Sequence, residues 1–186
     1  MTRFPRLSPV RFKLVALMML MALTRYHSAE ASAWLPDASL AVFFLAGLLL
    51  TQALMLAAFL LLALAVDYLA ITYGGISSYC VSPAYLFLLP AYAALWFAGT
   101  RCAGGQQTAR SLLVWLPGSV SLAFLISEYG FYAFSLYPET ADWQTYSLGV
   151  LRYYPSYVLP TLAYVAAFEG ISGLLGKPGN RLAVSH

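Results

Sequence analysis

Charge is what this 186-residue chain has least of: Asp, Glu, Lys and Arg together make up 9% of it, against roughly 25% in a soluble domain. So few ionic groups cannot cover a water-facing surface, which excludes an ordinary soluble globule. Cysteine is scarce too. Cys80 and Cys102 are the whole complement, so there is no disulfide scaffold and no C-x-x-C pair for thiol exchange. The Gly104-Gly105 pair is not followed by the Lys-Ser/Thr of a phosphate loop, and the chain therefore encodes no ATPase of its own. Repeats and low-complexity tracts are also missing. Nothing marks a second domain, so residues 1–186 read as one transmembrane domain. Nucleic acid is not an expected partner; the lipid bilayer is.

Apolar length is what the chain has in excess. It is 61% hydrophobic, with a mean hydropathy of +0.75, a composition suited to a bilayer. The first apolar run is Leu14–Leu23, extended by Val10–Lys13 and Thr24–Tyr26. The region Leu40–Ile71 would be about 48 Å long as one helix, while the hydrocarbon core is about 30 Å. It is therefore expected to split in two, turning near Gly47–Gln52. Later runs cover Pro83–Thr100, Thr108–Phe134 and Leu148–Leu175. The expected fold class is all-α: a polytopic membrane protein with six transmembrane helices. Pro90, Pro117 and Pro160 lie inside runs, where neighbouring helices tolerate such breaks.

Six spans place both termini on one side. Arg3, Arg6, Arg11, Lys13, Arg101, Arg110, Lys177 and Arg181 then share that side, leaving Arg25 and Arg152 opposite. The positive-inside rule makes the shared side cytoplasmic. Residues 1–33 also have the outline of a signal peptide, ending in Ala31-Ser32-Ala33; its cleavage would leave five spans. The uncleaved, six-span arrangement is the working expectation.

One stretch, Asp67 to Tyr85, concentrates the chemistry. It holds a carboxylate, a thiol, the pair Gly74-Gly75 and the tyrosines Tyr68, Tyr73, Tyr79 and Tyr85. Gly74-Gly75 is expected to end the helix that carries Asp67. Ser82-Pro83 is expected to start the next, as N-cap and first helical residue. Cys80 then lies in an outer loop, about 30 Å across the bilayer from Cys102 in the inner loop Arg101–Arg110, so the two cannot form a disulfide. Asp67, about two turns below the outer end, is costly there unless it faces a polar cavity or a partner. That partner could be Arg152 or a tyrosine.

The first outer loop, Thr24–Asp37, carries Arg25, His27, Glu30 and Trp34, and the third, Leu136–Ser147, carries Pro138, Glu139, Asp142 and Trp143. A lone loop histidine such as His27 is more often solvated than a ligand. Glu128 falls in the outer half of the fifth helix, beside Tyr129 and Tyr132, and the sixth opens with Arg152-Tyr153-Tyr154. All fourteen tyrosines except Tyr92 and Tyr164 fall in the outer half, whereas an ordinary aromatic belt enriches both interfaces. The asymmetry points to an aromatic cavity open outward, suited to a large, partly flat, amphipathic ligand. The sixth helix has small residues at four-residue spacing, Ala163 to Ala167 and Ala166 to Gly170, which permits close packing.

Six helices in under 200 residues, no ATPase motif and an outward cavity resemble a substrate-binding S-component of an energy-coupling-factor transporter. Tyr79-Cys80-Val81-Ser82-Pro83, with Asp67 upstream and Tyr85 downstream, resembles the BtuM family of small bacterial cobalamin transport proteins. The resemblance implies a multi-pass protein of the bacterial cytoplasmic membrane that takes cobalamin from the outer face. Cys80 would coordinate the cobalt and help remove the upper cyano ligand, with Asp67 and Tyr85 as its supporting network. A soft thiolate oriented by hydrogen-bonded neighbours suits a transition metal. Tyr79, Glu128, Arg152 and Tyr153 are candidate contacts for the rest of the ligand. A shared energy-coupling ATPase module is a possible partner. The Ala-xxx-Ala docking face common on the first helix of S-components is absent, because Ala16 is followed by Leu20 four residues on.

Two readings compete. A membrane thiol/disulfide enzyme would need a second cysteine on the face of Cys80. A non-catalytic assembly subunit would tolerate alanine at Asp67, Cys80 and Tyr85.

Overall fold

The structure is a computed structural model that describes residues 9–28, 35–74, 83–104, 109–134 and 143–175. These residues form helices and short connections, with no strand among them. In chain order the helices are α1 (Pro9–Ser28), α2 (Ser39–Leu49), α3 (Ala53–Tyr73), a 3₁₀ segment (Pro83–Phe87) leading into α4 (Leu88–Gly104), α5 (Ala109–Phe134) and α6 (Trp143–Leu175). Among the described residues three stretches are long and apolar enough to cross a membrane: Ala53–Tyr73, Pro83–Gly104 and Arg110–Phe134.

The expected break between α2 and α3 falls at Leu50–Gln52. Gly74 stops α3, as expected: a Cβ there would come within 2.6 Å of the Ala70 carbonyl oxygen. Pro83 opens the next element, though its first turn is 3₁₀ rather than α. Other boundaries move. α1 continues to Ser28 and α4 to Gly104, so the loops expected at Thr24–Asp37 and Arg101–Arg110 are both shorter. α6 begins at Trp143 rather than Leu148. Its added turn is held by aromatic packing, with Trp143 and Tyr146 against Tyr132 of α5 at centroid distances of 6.3 and 5.0 Å. Hydropathy alone misses such a turn because its apolar surface is aromatic.

α2 is the centre of the molecule. Ser39 and every residue from Ala41 to Leu48 are buried. With 11 residues it reaches only about 16 Å, too short to span a bilayer by itself. It runs parallel to α4. Phe43 stacks on Tyr92 at 4.1 Å. One turn on, a Cβ at Gly47 would strike the Trp96 carbonyl, and one at Gly99 would strike the Phe44 carbonyl. Glycine on both helices lets the backbones touch.

α3 shows how the bundle meets its surroundings. Apart from Asp67 and Thr72 near its C-terminal end it is apolar or aromatic all round, yet only Phe59, Ala63, Val66 and Ala70 are buried, a stripe at helical spacing. Leu54, Leu61, Leu64 and Leu69 face outward and are exposed, the distribution of a helix with lipid on its far side.

Candidate functional site

Asp67 and Tyr85, singled out from sequence, meet. Asp67 lies in α3 and Tyr85 in the 3₁₀ segment, and the Tyr85 hydroxyl donates to Asp67 Oδ2. The second partner of Asp67 is Arg25 of α1. Arg25 Nε donates to Oδ1 at 2.6 Å and Nη2 to Oδ2 at 2.6 Å. Two parallel charge-assisted bonds of this kind are the strongest pairing a carboxylate makes with a side chain.

Of the two partners expected for Asp67, the tyrosine is there, as Tyr85, and the arginine is a different one. Arg152 does not pair with Asp67. It is exposed on α6, with its guanidinium over the Tyr153 ring at 5.7 Å. α3 packs against α1, α2 and α4, whereas α6 packs against α5 and α2, so Arg25 is on the neighbouring helix and Arg152 is not. One signal in the sequence could have found Arg25. It sits on the side that the positive-inside rule disfavours, and such an exception needs a local reason.

Arg25 has further partners. Its Nη1 donates to the Tyr92 hydroxyl at 2.8 Å, to Ser39 Oγ at 3.1 Å and to Asp37 Oδ2 at 3.3 Å. Asp37 also holds the first residue of α2: its Oδ1 accepts the Ser39 amide at 2.9 Å and the Ser39 hydroxyl at 2.7 Å. The lead into α2 is tied down twice more. Thr24 Oγ1 accepts the Ala38 amide at 3.1 Å, and the Tyr164 hydroxyl donates to the Pro36 carbonyl at 2.8 Å. The Arg25 side chain is 11% exposed and that of Asp67 22%. A charge this dry persists only if paired and hydrogen-bonded, and the fork of Arg25 satisfies that condition.

One cation and two carboxylates thus gather where the C-terminal parts of α1 and α3 meet the N-terminal parts of α2 and α4. This group borders a cavity of about 310 Å³, to whose wall Asp37 and Tyr92 belong, with Leu40, Leu88, Ser127 and Tyr157. The cavity is at the lower end of the roughly 300–1,000 Å³ range of small-molecule sites. Tyr92 and Tyr164, the tyrosines that sequence placed apart from the outer cluster, both turn their hydroxyls onto this region, to Arg25 and Pro36.

The remaining candidates do not join this group. Glu128 faces α6, where a Cβ at Gly149 would lie 3.2 Å from its Oε1. Arg152 and the half-exposed Tyr153 stack on each other. Cys80 and Tyr79 lie outside the described residues, as do the Ala31-Ser32-Ala33 segment, Glu139 and Asp142; His27 belongs to α1, its side chain outside the description. Cys102, expected in a loop, is in α4 and buried, its thiol donating to Ser111 Oγ at 3.8 Å. It is ten residues beyond Tyr92, about 15 Å down the helix. The small-residue positions on α6, Ala163, Ala166, Ala167 and Gly170, are exposed. Among the described residues no three His, Cys, Asp or Glu side chains gather as a metal site.

The chain matches no known protein-family model, and no curated protein matches it.

Proposed function

We propose that this protein is a six-span, S-component-like transporter of the BtuM type in the bacterial cytoplasmic membrane, with both termini cytoplasmic. It binds cobalamin from the outer face, with the Cys80 thiolate as the cobalt ligand, and removes the upper cyano group. One observation carries the reading: Tyr85 donates to Asp67. These are the two residues that the resemblance names as the network supporting Cys80. They flank the segment that bears it, and they meet although 18 positions apart in sequence.

The chemistry follows from the ligand set. The Cys80 thiolate would take the place of the nucleotide base on one face of cobalt, the base leaving with its own lone pair, and would weaken the bond to cyanide on the other face, so that cyanide leaves with its bonding pair. Cobalt keeps its oxidation state, and water takes the vacated position. A cavity of about 310 Å³ is smaller than a corrinoid and takes one arm of it. Aromatic and apolar walls suit such an arm, and Asp37 and Tyr92 offer it polar anchors. In this reading α2 crosses together with its lead, Leu35–Ala38, and α1 and α6 complete the six spans.

The test is optical. Purified protein given cyanocobalamin should show a changed corrin absorption spectrum, and Cys80→Ala should abolish the change. An unchanged spectrum with the wild-type protein, and no bound corrinoid, would refute the proposal. A thiol/disulfide enzyme is a poorer fit, since Cys102 is buried in α4 about 15 Å from the Arg25 group.

A further inference from the structure

Tyr85 belongs to a five-residue 3₁₀ segment with no buried residue. Short 3₁₀ pieces have poor internal hydrogen-bond geometry, so this element does not by itself aim a side chain. Downstream the segment is anchored by Phe87, which packs on Gly130 and on Tyr129 and Phe134, at centroid distances of 6.1 and 5.5 Å. At Tyr85 the anchor is the hydrogen bond to Asp67. A carboxylate on its own is a soft anchor, because its terminal torsion has a broad well. Here both oxygens are gripped by the rigid fork of Arg25, which fixes the plane of the group. The fork cannot swing either, since its third nitrogen reaches Tyr92, Ser39 and Asp37.

We propose that Arg25 is a positioning residue for cyanide removal: it holds the plane of the Asp67 carboxylate and, through that, the direction of the Tyr85 hydroxyl. This rests on the function proposed above and adds to it a residue outside the Asp67–Tyr85 stretch. Arg25 acts through Asp67, forty-two positions away, and ties the chemistry to the packing of α2 on α4.

The role separates rate from binding. Full-length protein in detergent is mixed with saturating cyanocobalamin, and the rate of cyanide loss is read from the corrin spectrum. Affinity is measured separately with aquocobalamin, which has no cyanide to lose. Arg25→Gln should slow cyanide loss about ten- to a hundredfold, the cost of a misplaced group, with the aquocobalamin dissociation constant within about threefold of wild type. Arg25→Lys should not rescue the rate, because one ammonium cannot make two parallel bonds. In a Tyr85→Phe background the rate should fall no further when Arg25→Gln is added, because the end of the relay is already gone. A wild-type rate in Arg25→Gln, full rescue by lysine, or rate and affinity falling in equal proportion would each overturn this inference alone. Additive losses in the double variant would do the same. If Arg25→Gln fails to fold, Arg25→Lys, which keeps the charge, decides: a slowed rate at unchanged affinity supports the role, and a wild-type rate ends it. Wild-type protein that leaves cyanocobalamin unchanged and binds no aquocobalamin overturns the proposed function, and this inference with it.

Discussion

Arg25 and Asp67 stand forty-two residues apart in the chain and meet fork to carboxylate, each of two nitrogens 2.6 Å from its own oxygen. The pair joins α1 to α3, and the other bonds of the same guanidinium reach α2, its lead and α4. An arginine and an aspartate on separate apolar helices thereby become one of the main ties at this end of the bundle.

Breaking that tie on one side should be costly. Asp67→Ala leaves Arg25 dry and short of its main acceptor, and should destabilise the protein by about 3–5 kcal/mol. Arg25→Leu combined with Asp67→Leu should cost less than the sum of the single changes, since no unpaired charge is left. Denaturant unfolding in detergent measures both. Additive losses would show that the two side chains are not coupled.

The α2–α4 contact depends on glycine. Gly99→Leu would drive a side chain into the Phe44 carbonyl and the Leu48 amide. Overpacking of this kind costs about 1–3 kcal/mol or more, and backbone cannot rotate away as a side chain can. A lowered thermal midpoint is expected for Gly99→Leu and for Gly47→Leu. Gly118→Leu should have little effect, because nothing lies within 4 Å of a Cβ there.

The two cysteines should behave differently. Cys80→Ala is expected to remove the spectral response to cyanocobalamin. Cys102→Ser is expected to keep it, since Cys102 is packed in α4 beside Ser111 and a hydroxyl replaces the thiol at similar size. Loss of the response in Cys102→Ser alone would shift the chemistry to the other end of the bundle.

Topology is open to direct labelling. With six spans, a cysteine introduced at Glu139 in a Cys80→Ala, Cys102→Ser background should react with a membrane-impermeant maleimide in intact spheroplasts. One introduced at Gln106 should react only after the membrane is opened. The reverse pattern would invert the arrangement and place the Asp67–Tyr85 stretch inside.

Much of the fold was legible in the residues because hydropathy is a local property. Runs of Leu, Ala, Val and Phe marked the helices, and the ends at Gly74 and Pro83 were readable because glycine and proline act on their own backbone. The start of α6 at Trp143 was not, because its first turn rests on Tyr132, a residue of another helix. Asp67 and Tyr85 were legible as a pair worth watching, since both stand out in an apolar chain. That Arg25 completes them was not.

By itself the sequence determined that this chain is helical, apolar and divided near residue 50, because side-chain solubility and backbone preference act residue by residue. Which arginine neutralises Asp67, and that α2 is a short buried helix with its lead tied to α1 and α6, was decided by the tertiary structure alone. Several basic residues could satisfy one carboxylate on paper. Only the packing of α1 beside α3 brings one within 3 Å, and electrostatic pairing in a dry bundle is settled by that distance.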